Sequence, residues 1–149
     1  MKPVLFLTTA ATLGAMTLGL VAPAMAGDLI YSGGTMLTEG IAGKPYWAVQ
    51  AQCAGVYGAT SSYLAEKGDA DGAERAKALG VAFFHEAVDR VMKDRGVARP
   101  AAVEALSPAV IAGRTETLQA LQVEGNGPTS KWNYARSACL DVRDSYTGR

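Results

Sequence analysis

The sequence predicts an all-α domain, a bundle of four to five helices stapled by one disulfide between the first and last of them. Apolar residues recur at a helical period over four long segments, and glycine, proline and aspartate punctuate the chain between them. Two cysteines, Cys53 and Cys139, each lie in the middle of an apolar stripe. A bridge between them needs only that the two stripes face each other.

The 149 residues do not all belong to that domain. Lys2 precedes an apolar stretch from Val4 to Val21, and Ala22-Pro23-Ala24-Met25-Ala26 closes it with the small residues that a signal peptidase accepts. Residues 1–26 therefore read as a cleavable secretory signal peptide, with a mature chain from Gly27. No cysteine follows the apolar run to receive a lipid, so a periplasmic or secreted protein without a stable membrane span is expected. In an oxidising compartment Cys53 and Cys139 pair rather than stay free, and closing so long a loop restricts the unfolded chain by about 4 to 5 kcal/mol. Residues 27–43 are Gly-rich and predict an irregular arm whose apolar start, Leu29, Ile30 and Tyr31, docks on the core. Residues 44–149 are the helical domain.

The first helix is expected from about Pro45 to Lys67, with the proline in the first turn and Gly68 as the stop. Tyr46, Val49, Cys53, Val56, Tyr57, Thr60 and Leu64 share one stripe, while Ala48, Ala51, Gly55, Ala59 and Ser62 form a small opposite face. No charge falls between Lys44 and Glu66, which predicts a central helix or, in the alternative, an oligomer interface on the small face.

The second helix, from about Asp69 to Arg95, is amphipathic, with Phe83 and Phe84 in its stripe. Glu86 to Arg90 and Asp89 to Lys93 are favourably oriented pairs on its polar side. A short turn packs it antiparallel on the first. Between Arg99 and Glu124, Ser107-Pro108 predicts a break after Leu106 and a restart with Ser107 as N-cap. Gly125-Asn126-Gly127-Pro128 ends that region. A last helix from about Thr129 to Tyr146 carries Trp132, Ala135, Cys139 and Val142 on its stripe.

Composition excludes several function classes. Fourteen basic residues balance fourteen acidic ones, so the chain lacks the electrostatic footprint of a nucleic-acid binder. Gly68-Asp69-Ala70-Asp71-Gly72 fails as a calcium loop, because Lys67 and Ala78 occupy the terminal ligand positions. The aspartates suit a helix start instead. The stretch from Tyr63 to Asp69, with Ala73 and Ala76 beyond, resembles a single tetratricopeptide hairpin, yet no second copy follows at the period that stacking requires. No C-x-x-C-H sequence attaches haem, and a noncovalent His85 and Met36 pair is the sole axial-ligand combination of interest. One histidine does not build a zinc site. No cofactor and no metal site is expected.

The remaining candidates are few. His85 is the only side chain whose ordinary pKa suits acid–base work near neutrality, and Asp89 at i+4 is placed to orient it. No serine stands in a nucleophile motif beside them. Tyr57, Phe83, Phe84 and Trp132 are the candidate lining of a ligand pocket between helices. Arg136 and Arg143 lie about 60° and 40° from Cys139 around the last helix, where they would meet an anion or a partner carboxylate. The expected function is a non-enzymatic, exported module that binds another exported protein, in the manner of an inhibitor, immunity factor or adaptor. A small-molecule carrier is the alternative, followed by a small hydrolase using His85 and Asp89.

Overall fold

A computed structural model describes the backbone of residues 43–147 and the side chains of residues 43–144. The expected signal peptide at 1–26 lies outside the described residues, as do the arm at 27–43 except for Gly43, and Met36. Four helices and no strand element make up the described part: α1 (Tyr46–Glu66), α2 (Ala70–Arg95), α3 (Arg99–Glu124) and α4 (Lys131–Thr147).

The bundle is arranged around α1. Val49, Ala51, Cys53 and Ala59 are fully buried, as are Gln50 and Thr60, so both faces of the charge-free helix are covered. Its apolar stripe meets α2 and α4 in a cluster built on Val56, Tyr57, Phe83, Ala135, Cys139 and Val142. Its small face carries α3. An oligomer interface on that face would have to displace α3, because a Cβ on Gly55 would collide with the Val110 carbonyl, and one on Gly113 with the Gln52 carbonyl. Absence of side chains at both positions brings the two backbones together where the helices cross.

The predicted bridge is present. Cys53 and Cys139, both fully buried, are joined with their Cα atoms 5.5 Å apart and 86 positions apart in sequence. It fastens α1 to α4.

Helix ends follow the capping signals. Pro45 is the residue before α1, and the Asp69 carboxylate accepts from the Gly72 amide at 2.8 Å to cap α2. Gly96 takes φ 63° after α2, a left-handed conformation that suits glycine and turns the chain into α3. Ser130 caps α4, accepting from the Asn133 amide at 3.3 Å.

The expected break in α3 does not occur. The helix is continuous through Pro108, and the Ser107 hydroxyl, instead of capping a new start, donates to the Val103 carbonyl at 2.9 Å. Proline leaves one intrahelical bond unmade and costs about 3 kcal/mol in a helix interior. Burial outweighs that cost: Ala102, Leu106, Gly113, Thr117 and Leu121 keep one stripe in register across Pro108, whose ring faces solvent. Acidic residues of the pairs expected within α2 also reach other helices. Glu86 turns inward to α1 and α4, and Asp89 reaches Arg99 at the start of α3.

Candidate functional site

Near their shared turn, α2 and α3 close over α1 in a cluster of Trp47, Val88, Val91, Ala102 and Leu106. Beyond that cluster the helices leave an open groove of about 310 Å³. Its α1 side is formed by Ala54, Gly58 and Ser61, and Val110 closes it from α3. On α2 it is bordered by Lys77, Gly80, Val81, Phe84 and His85. The groove exists because the α1 positions are small. At Gly80 the helices already touch, since a Cβ there would lie 3.3 Å from the Ala54 carbonyl.

The groove is mainly apolar with a cationic edge. Its lining includes Lys77 and His85 but no carboxylate. The Ser61 hydroxyl is already committed, donating to the Ala73 carbonyl at 2.9 Å. Arg114 stands at one end, its guanidinium 3.4 Å from the Ser62 hydroxyl and 3.7 Å from where a Cβ on Gly58 would sit.

Of the aromatic residues predicted to line a pocket, Phe84 borders this groove and the other three do not. Tyr57 and Phe83 stack at 5.7 Å inside the core, and the Trp132 indole donates to the Thr60 hydroxyl at 3.0 Å. The reason is that large side chains on apolar stripes fill the space where stripes meet, while open space appears where residues are small. His85 is exposed and rests against the Phe84 ring with centroids 6.5 Å apart. It makes no hydrogen bond to Asp89 among the described residues, because that carboxylate lies 3.6 Å from Arg99. The base and orienter are not assembled.

Both arginines are engaged within the bundle. Arg136 lies over the Trp132 ring at 4.7 Å, and its carbonyl accepts from the Tyr57 hydroxyl at 3.1 Å. Burial pushes the Tyr57 pKa above its ordinary value, with the Arg136 and Arg143 guanidinium groups opposing that shift. Arg143 is 3.7 Å from Glu86, whose other oxygen accepts from the buried Gln50 amide at 3.1 Å. This link across α1, α2 and α4 escaped the sequence reading, although a glutamine within an otherwise apolar helix signals an inward partner. The groove escaped it too. Its signal was the spacing of Ala54, Gly58 and Ser61, small residues one turn apart.

No protein family, curated protein or solved structure matches this chain. The groove and the Gln50–Glu86–Arg143 link are thus read from their own chemistry. The link joins three helices and opens no space, whereas the groove is accessible and unfilled. Among the described residues no group of three His, Cys, Asp or Glu side chains converges as a metal site.

Proposed function

We propose that this chain is an exported, non-enzymatic module that binds another exported protein through the groove between α2 and α3. One observation carries the reading: an open apolar groove on a disulfide-stapled bundle, with Val81 on its border 47% exposed. Apolar side chains left in water around a concavity mark interaction surfaces. The disulfide supports export, since such bridges persist in oxidising compartments.

Site-specific photo-crosslinking in intact cells tests the reading. A photoreactive side chain at Val81 is expected to give one discrete adduct, while the same group at Val123 or Leu140, exposed elsewhere on α3 and α4, gives none. Equal labelling at all three positions, or no adduct from Val81, contradicts it.

A further inference from the structure

We propose that the groove is a socket for one large apolar side chain of a partner protein, presented by an acidic segment with a carboxylate within about one helical turn of that side chain. This rests on the protein-binding reading of the same groove and names the chemistry of what binds there.

Size and shape limit the occupant. About 310 Å³ is the low end of the roughly 300–1,000 Å³ typical of small-molecule sites, and such sites enclose most of their ligand. Here the space is open along one side, a form that admits a side chain while its backbone stays outside. The lining suits that role, with Phe84, Val110 and Val81 as walls and Gly58 leaving the depth.

Charge selects the flanks. No carboxylate belongs to the lining, whose cationic side chain is Lys77 on α2. Outside the lining, Arg114 adds a second cationic group at the α1–α3 end. Lys77 is engaged with Glu74 at 3.5 Å, but both side chains are more than half exposed, so the pair is readily exchanged for a partner's carboxylate. A basic or uncharged segment would leave these groups without complement.

Two variants separate the requirements. Gly58→Leu fills the groove from its floor, and its Cβ meets only the flexible Arg114 guanidinium at 3.7 Å, so the fold is retained. Lys77→Glu reverses the edge at an exposed position. The experiment is selection of a displayed library of random peptides, on the order of twelve residues long, against the oxidised full chain. Selected peptides are then measured against both variants, with thermal unfolding of each variant as a folding control. The expected result is enrichment of a large apolar residue flanked by Asp or Glu, binding at least ~10-fold weaker to Gly58→Leu, and binding several-fold weaker to Lys77→Glu and at raised salt. If Gly58→Leu melts below the wild type, Lys77→Glu and the salt series decide. Peptides with basic flanks, equal binding by folded Gly58→Leu, or no enrichment overturn the proposal. So does decanoate binding that Gly58→Leu abolishes while no peptide is enriched, which would assign the socket to small amphiphiles. Crosslinks from Val81 that persist alongside any of these outcomes leave the protein-binding reading standing and remove only the acidic-anchor chemistry.

Discussion

Replacing Gly55 and Gly58 by alanine, one at a time, separates two effects that act in the same helix. Each change gains helix propensity of up to about 1 kcal/mol, because glycine loses more backbone freedom than alanine when the helix forms. What differs is the space around the new methyl group. At Gly58 it meets only a guanidinium nitrogen at 3.7 Å, an ordinary contact with a movable side chain. At Gly55 it runs into the Val110 carbonyl and lies 2.7 Å from the Arg114 amide, both backbone atoms of α3. Restoring ordinary contact at 3.4 Å requires that stretch of α3 to retreat by about 0.7 Å from the amide alone, and by more from the carbonyl. Overpacking of a filled interior costs about 1–3 kcal/mol, and the upper end applies because neither blocking atom rotates away. The Gly55→Ala protein should therefore lose about 2 kcal/mol net, which lowers Tm by roughly 8–16 °C for a domain of this size. Gly58→Ala should match the wild type or exceed it by up to about 1 kcal/mol. Thermal and urea unfolding of the oxidised proteins, followed by circular dichroism, reads both. A Gly55→Ala protein as stable as Gly58→Ala would refute the close crossing of α1 and α3.

Further outcomes follow from other contacts. Pro108→Ala restores the amide that α3 lacks, so it should stabilise the protein by about 1–3 kcal/mol in urea unfolding; a loss would mean that the helix does not run straight through. Converting both cysteines to alanine should cost about 2–5 kcal/mol, seen as an unfolding midpoint that no longer responds to reductant. Tyr57 has its folded pKa raised above 10.0, so its contribution is constant below the unfolded value and is lost as pH rises through the folded one. Unfolding midpoints measured from neutral to strongly alkaline pH should fall more steeply for the wild type than for Tyr57→Phe, which also loses the hydrogen bond to the Arg136 carbonyl.

Features that were legible in the sequence were those fixed by periodicity and local capping. Cys53 and Cys139 were placed on facing stripes by spacing alone, and Asp69 and Gly96 marked ends that the structure keeps. Pro108 misled because a local rule was set against a burial stripe of five residues, and the stripe won. The pocket was misplaced for a related reason: Tyr57, Phe83 and Trp132 advertise themselves as ligand-binding groups but are consumed by packing. The groove is defined by what Gly58 and Ala54 lack. Missing atoms leave a fainter pattern than aromatic ones. The partners of Glu86 were equally hidden, since Gln50 and Arg143 are distant in sequence and meet only after α1, α2 and α4 pack.

The bond between Cys53 and Cys139 has a topological consequence. It makes residues 53–139 a covalently closed circuit holding all of α2 and α3, together with the turn at Gly96. A protease that cuts once in that turn converts the circuit into a branched but still single molecule, and nothing diffuses away. Only a second cut within it, or reduction of the sulfur bridge, sets a piece free. The groove, whose walls come from within the circuit, thus survives the first chain scission with its helices still tethered.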